Sequence, residues 1–382
     1  MTGYDVIVIG VGGMGALACR ELARRGARVL GLEQFALGHS LGSSHGETRL
    51  YRRTYFESPQ YVPLVTRALE LWRELEAESG RTLAVETGLV LCGPPGSAVV
   101  SGARAAALAH GLPFDRLDAR HLGECFPELS VPPDWEILVE PDAGFLRVEE
   151  CVSVGIELAR RAGAELLPGT TVRELQQDGA GVRVWSDAGE FRAERAIVCP
   201  GAWASSLLGP LGRVLEVRRK VLLWLSADAA AHRLEAGAPA FGFDAPEGFV
   251  YGFPALAAGV VKLAMHSGGD VVTDPSQVDR SLRAEDTAWL PAVVARHLPR
   301  ITPEVVRHRV CLYTMTPDED FLLGPDPERP SVIVAAGFSG HGFKFASVIA
   351  EAVAGLALTG AAAAGVRFLS PARFVESVAA SE

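Results

Sequence analysis

"YDVIVIGVGGMGALACRELARRGARVLGLEQ", residues 4–34, decides the fold. Residues 4–9 are a short apolar run rich in β-branched side chains, and glycines follow at once. "MGALACRELARRG" then has helical spacing, with Gly26 placed to end it. "RVLGLE" predicts a second strand that closes on an acid, which completes a βαβ unit. Gly10, Gly12 and Gly15 stand at G-x-G-x-x-G between the first strand and the helix. Glycines there permit a tight turn and bring a pyrophosphate up to the helix N-terminus, where unpaired N–H groups favour an anion. Glu33 is placed to take a ribose hydroxyl pair. The setting of strand, turn, helix and acid makes a weak glycine motif a strong one. The candidate contacts are Gly10, Gly12, Gly13, Met14, Gly15, Glu33 and Gln34, and the motif leaves NAD and FAD both open.

Outward from this unit, "YVPLVTRALELWRELEAES" (61–79) has Leu64, Leu71, Trp72 and Leu75 on one side, which predicts a surface helix. The middle of the chain changes texture. "GLVLCG", "FRAERAIVCPGAW", "VLLWLS", "FVYGFP" and "VVKLAMH" are short β-like runs separated by Gly, Pro and Asp, and they predict a mixed or antiparallel sheet. Near the end, "SVIVAAG" (331–337) again reads as a buried parallel strand, followed by a glycine loop and the helix "KFASVIAEAVAGLALTG". A strand–loop–helix that returns so late implies a discontinuous nucleotide-type domain.

Bulk properties exclude some classes. At 382 residues and 48% hydrophobic, the chain can bury a large core. A formal charge of −10, with no basic run longer than "RRK" at 218–220, argues against nucleic-acid binding. "VIAEAVAGLALTGAAAAGV" is broken by Glu351 and glycines, so no membrane span is expected. Neither end reads as a targeting segment, which makes the cytoplasm the expected location. Cys19, Cys92, Cys125, Cys151, Cys199 and Cys311 lack metal-ligand spacing, and no metal site is expected.

Four stretches carry a resemblance: "GSSHGETRLYRR" (42–53), "YGFP" with "VVKLAMH" (251–266), "CLYTMTPDEDF" (311–321) and "AAGFSGHGFKF" (335–345). Together they resemble the monomeric sarcosine oxidase family, amine-oxidising flavoenzymes of the D-amino-acid-oxidase-like group. The resemblance implies FAD, attached by a thioether from Cys311. A lone cysteine at a strand edge is ordinarily a small buried hydrophobe, so the surrounding motif carries this assignment. It implies further that Arg52 and Lys344 grip the substrate carboxylate. Arg49 and His45 would lie near the flavin ring with Thr48, and Tyr251, His266 and Tyr313 would line the amine side. Lys262 would activate oxygen from the opposite face of the ring. Ser43, Ser44, Val172, Gly201, Leu312, Gly337, Gly340, Gly342, Phe343 and Lys344 complete the expected cofactor contacts.

The fold class is therefore expected to be α/β. A discontinuous Rossmann-like FAD domain (1–82, 148–215, 310–382) is joined to a substrate domain on a mixed or antiparallel sheet (83–147, 216–309). The expected activity is oxidation of N-methyl α-amino acids such as sarcosine by a monomer, with O₂ as acceptor and formaldehyde and hydrogen peroxide as products. Two alternatives are an oxidase of bulkier or cyclic secondary amino acids (N-methyltryptophan, pipecolate or proline type) and a flavin dehydrogenase using a protein acceptor. Gly242 falls where the sarcosine enzymes carry a bulkier side chain, so a wider pocket wall is expected there.

Lysine usage adds a residue-level argument. Only Lys220, Lys262 and Lys344 interrupt 33 arginines, and the last two fall on expected functional positions, where a compact ammonium is not replaceable by a guanidinium. Lys262 and His266 are four apart in an apolar strand, so both should face one site. Lys220, after two arginines, is expected to be a bystander.

Overall fold

The structure is a computed structural model that describes residues 3–228, 230–361 and 364–374. The end of the expected 310–382 segment, from residue 375 on, lies outside the described residues. The opening strand β1 (Tyr4–Ile9) forms as read, then α1 (Gly13–Arg24) and β2 (Val29–Glu33). Gly26, at φ +90°, ends the helical turn. β1 lies between β2 and strand Gly189–Val198, and strands Glu165–Pro168 and Val332–Ala336 extend the sheet on either side, all parallel. β2 is buried at every position, as expected of a parallel strand covered on both faces. α1 packs against helices Val148–Arg161 and Ala346–Thr359. Sequence-distant segments thus complete one layer. The run "FRAERAIVCPGAW" belongs here and not to the second sheet, since its hydrophobic half pairs in parallel with β1.

The second sheet has nine strands. Strand Glu216–Ala227 is paired antiparallel on one side with Val260–Met265 and on the other with Ile301–Met315. Among the described residues the only parallel contact on its main path joins Ala240–Ala245 to Leu89–Gly93, so the sheet is mixed. The expected boundary lies at residue 310. It falls inside strand Ile301–Met315, whose ladder to Glu216–Ala227 continues through Cys311 to Met315. That strand carries Cys311 from the substrate sheet into the cofactor layer. A small sheet of β3 (Thr48–Tyr51), Gly144–Arg147 and Ala84–Glu86 bridges the two.

α2 (Val62–Ser79) is the helix expected over 61–79, and its apolar face holds the late glycine loop. Trp72 Nε1 donates to the Lys344 carbonyl at 2.8 Å, and the Trp72 ring lies parallel to that of Phe343.

The turn after β1 admits no side chain at Gly15, where a Cβ would sit 1.8 Å from the Gly10 carbonyl oxygen. Gly15→Ala is therefore expected to open the turn and to lose most of its FAD. The ratio of flavin to protein absorbance after purification checks this, and a fully loaded variant would contradict it.

Candidate active site

A cavity of about 410 Å³ runs from the β1 turn to strand Ile301–Met315. At one end Glu33 is tied by Val11 N–H (2.8 Å) and Phe35 N–H (3.0 Å), with His39 Nε2 3.4 Å away. This fixes a buried acid where a ribose is expected. In the middle, Gly13 N–H donates to Ser44 Oγ at 3.0 Å. A Cβ on Gly13 would sit 2.7 Å from the Phe343 ring, so the backbone there is bare because nothing larger fits. At the far end, Arg49 donates to the carbonyls of Thr48 (2.9 Å) and Ser43 (2.8 Å) and approaches Cys311 Sγ at 3.4 Å. An open glycine cradle, a helix N-terminus and an acid at the second strand fit a dinucleotide with its pyrophosphate over α1.

The expected cofactor contacts Gly10, Gly12, Gly13, Met14, Glu33, Gln34, Ser43, Ser44, Arg49, Val172, Gly201, Cys311, Leu312, Gly337, Gly340, Gly342 and Phe343 all line this cavity. Gly15 does not; it shapes the turn from behind. Thr48 is buried and binds Lys262 instead, and Lys344 opens onto the neighbouring cavity.

That second cavity, about 50 Å³, shares Arg49, Tyr313, Gly340 and Phe343 with the first and adds Arg52, Tyr251, His266 and Lys344. Gly340, at φ +81°, lets the loop lie on Tyr313, whose ring atoms would be 2.2 Å from a Cβ. Lys344 Nζ donates to the His341 carbonyl at 2.7 Å. Burial, and then Arg52, push its pKa down to about 7. Burial likewise pushes His266 to about 3 and His341 to about 4, so both imidazoles are neutral at ordinary pH. Tyr313 Oη lies 3.4 Å from His266 Nδ1.

Lys262 and His45 line neither cavity. Lys262 Nζ is buried and donates to Gly46 O (2.6 Å), Thr48 O (2.8 Å) and Thr48 Oγ1 (3.0 Å). Lys262, Ala264 and His266 alternate with period two, so the two charged positions share a face as expected. His45 Nε2 contacts the Gly42 carbonyl, and burial followed by the nearby Arg49 pushes it to about 3.

The sequence profile described as "DAO: FAD dependent oxidoreductase" matches residues 5–356. The chain belongs to this family. A monomeric sarcosine oxidase of Streptomyces avermitilis is 40% identical over 382 residues, covering 98% of this chain and 99% of that one. N-methyl-L-tryptophan oxidase of Salmonella arizonae is 37% identical over 359 residues, covering 93% and 95%. Among solved structures, NikD, an unusual amino acid oxidase essential for nikkomycin biosynthesis, has a TM-score of 0.85 at 27% identity over 97% of this chain and 98% of that one. The protein is thus an FAD-dependent amine oxidase of the sarcosine oxidase type, and the expected fold and family both hold.

Three features of this flavoprotein depart from the sequence reading. Gly242 does not line the second cavity, because Phe249 and Leu91 occupy its side; a Cβ there would lie 2.8 Å from the Phe249 ring. The space left by the missing side chain is filled by Phe249, which itself forms the cavity wall. Lys220 is no solvated bystander. It is buried, and its Nζ donates to the carbonyls of His266 (2.6 Å), Ser267 (2.8 Å) and Gly268 (2.6 Å). It lies 5.2 Å from the Tyr313 ring centroid, so it braces the His266–Tyr313 wall from behind.

Arg52 already carries a carboxylate partner. Its Nη2 forks to both oxygens of Glu57, each at 2.7 Å, and its guanidinium lies 4.0 Å from the centroid of the Phe56 ring. Leu50, Phe56, Glu57 and Phe249 are the cavity residues that sequence reasoning missed. For Glu57 the signal was present: an acid five residues after the arginine.

Burial pushes the Glu57 carboxyl up, but Arg52, His341 and Lys344 outweigh it and hold it at about 2, below its ordinary 4.5. The stabilisation from this ion pair is therefore complete above pH 4.5 and is lost as pH falls toward 2. Glu57→Gln is expected to show a shallower fall in Tm than the parent between pH 4.5 and 3. Thermal unfolding at matched FAD content measures it, and parallel curves would exclude the assignment.

Proposed function

We propose that the protein oxidises N-methyl α-amino acids, sarcosine first among them, with oxygen as acceptor, and that Cys311 carries the FAD as a thioether. The observation that supports this best is the occupied fork of Arg52. A carboxylate, that of Glu57, already accepts two guanidinium bonds in the cavity beside the cofactor site. A substrate carboxylate of the same shape takes that place by displacing it. Lys344 adds a second cation from the glycine loop. The substrate's amine end then points toward Tyr313, Gly340 and Phe343, which the two cavities share.

FAD, held in the first cavity, would supply the hydride acceptor. The amine needs its lone pair free to give up hydride, and the positive field of Arg49, Arg52 and Lys344 favours the neutral amine over the ammonium. Neutral His266 and the Tyr251 and Tyr313 hydroxyls are polar partners that do not reverse this preference. The resulting iminium is hydrolysed to formaldehyde and the demethylated amino acid. Lys262, on its loop of carbonyls, is assigned to the oxygen half-reaction, where an ammonium favours superoxide-like charge. The Arg49 N–H is directed at Cys311 Sγ, 3.4 Å away. Aromatic walls at Phe56, Phe249, Tyr251 and Tyr313 favour a second reading, a bulkier N-methyl substrate. The cavity, at about 50 Å³, nevertheless favours the smaller substrate.

Sarcosine and N-methyl-L-tryptophan oxidation, compared as kcat/KM with peroxide released per turnover, test the substrate assignment; no turnover of either ends it. After acid precipitation the yellow colour should stay with the protein and leave it in Cys311→Ser. Lys262→Arg is expected to slow the reaction with oxygen, and Lys344→Arg to raise KM, each about tenfold. Lys344 is charged below about pH 7 and neutral above it. Binding of a plain carboxylate such as propionate, followed by flavin absorbance, should therefore weaken above that pH and lose this dependence in Lys344→Met.

A further inference from the structure

We propose that Glu149 is the counter-charge of Lys262 and acts on it through a single peptide group. None of the Lys262 Nζ acceptors given above is a carboxylate; two are the carbonyls of Gly46 and Thr48 and the third is a hydroxyl. The peptide that offers the Gly46 carbonyl presents the Glu47 N–H on its other side. That N–H is bound by both oxygens of Glu149, at 3.1 and 2.9 Å. The preceding Gly46 N–H donates to Glu149 Oε1 at 2.6 Å. One amide is thus held between a carboxylate at its N–H and an ammonium at its oxygen. Each charge polarises the amide in the sense that strengthens the other bond. Glu149 favours the protonated form of Lys262 without touching it.

The surrounding geometry shows why an intermediary is used. Glu149 stands in the first turn of helix Val148–Arg161, beside Ser44 on a surface cavity of about 510 Å³, while Lys262 is buried behind the loop. Glu47 between them has φ +70°, a left-handed conformation disfavoured for a residue with a side chain. It is pinned at both ends. Glu149 holds its N–H, and Trp224 Nε1 (2.9 Å) and Arg307 Nη2 (2.5 Å) hold its carboxylate. The charged and titratable groups acting on Lys262 divide cleanly. Burial and then Arg49 favour the neutral amine, while Cys311, Glu47 and Glu149 oppose them, and Cys311 drops out once its sulfur is the thioether proposed above; buried His45 stays neutral. Arg307 already compensates Glu47, which leaves Glu149 as the effective counter-charge. Glu149 is accordingly a positioning residue, set to keep an ammonium and its acceptors in place.

With three lysines in the chain, ¹⁵N-lysine labelling of the holoenzyme gives three Nζ signals, and Lys262→Met identifies the relevant one. Glu149→Gln is expected to lower the Lys262 titration midpoint by about one pH unit, a tenfold loss of proton affinity. Glu149→Asp, which keeps the charge, should restore most of it, and Glu47→Gln should move it less. Glu149→Ser is the second neutral variant, should the glutamine protein fail to load FAD. An unchanged Lys262 midpoint in a loaded neutral variant overturns the proposal. The kinetic arm rests on the assignment of Lys262 to the oxygen half-reaction. There, Glu149→Gln should slow the reaction with oxygen while leaving reduction by substrate within about twofold, less than 0.5 kcal/mol. If Lys262→Met reacts with oxygen at the parent rate, that assignment fails, and the Nζ titration still decides the role of Glu149.

Discussion

Buried cations held by neutral oxygen are the constraint on which this structure turns. An ammonium taken out of water is expensive unless its protons find acceptors. Here the acceptors are mainly backbone carbonyls: those of Gly46 and Thr48 for Lys262, of residues 266–268 for Lys220, and of His341 for Lys344. Arg49 follows the same rule with Ser43 and Thr48. Carbonyls satisfy hydrogen bonds without cancelling charge. The cleft therefore keeps a positive potential that a carboxylate partner at each site would have removed. It is suited to an anionic substrate end and to negative charge that develops during oxidation.

The loops that deliver those carbonyls depend on the meeting of two sheets. Strand Ile301–Met315 belongs by its ladder to the substrate sheet, yet its end lies along the cofactor cavity. Ser43 Oγ bonds the Leu312 carbonyl at 2.5 Å, and Arg280 reaches both the Leu41 and Val310 carbonyls. The segment after β2 is thereby fastened to the opposite sheet. On the other side, α2 holds the glycine loop through Trp72, so Lys344 is delivered from a fixed backbone. A lysine at the start of a helix opposes the macrodipole. Its place there is explained by the cavity it faces and not by the helix.

Much of this was legible in the chain. The βαβ unit, the late return of the nucleotide layer and the glycine turn follow from local pattern, while the roles expected of Arg49, Lys262 and Lys344 came with the family resemblance. Misreadings share a cause: they concern what a side chain meets across the fold. Gly242 reads as a gap, but Phe249, its neighbour across a hairpin, fills the gap. Lys220 reads as the end of a basic run, but a turn beyond the adjacent strand supplies three carbonyls. Arg52 reads as an open fork, and Glu57 closes it. Glu149 carried no motif at all, since its partners are N–H groups about a hundred residues earlier.

The sequence by itself determined the dinucleotide architecture and the family, and it singled out two of the three lysines. Periodicity, glycine placement and the scarcity of lysine are local properties that survive without a fold. Only the tertiary structure decided which cations remain open and which are closed by a carboxylate. It also decided that Phe249 fills the space beside Gly242 and that the peptide holding Lys262 is itself bound by Glu149. The reason is physical: desolvation and hydrogen-bond satisfaction depend on neighbours that the chain brings together only when its two sheets have closed on one another.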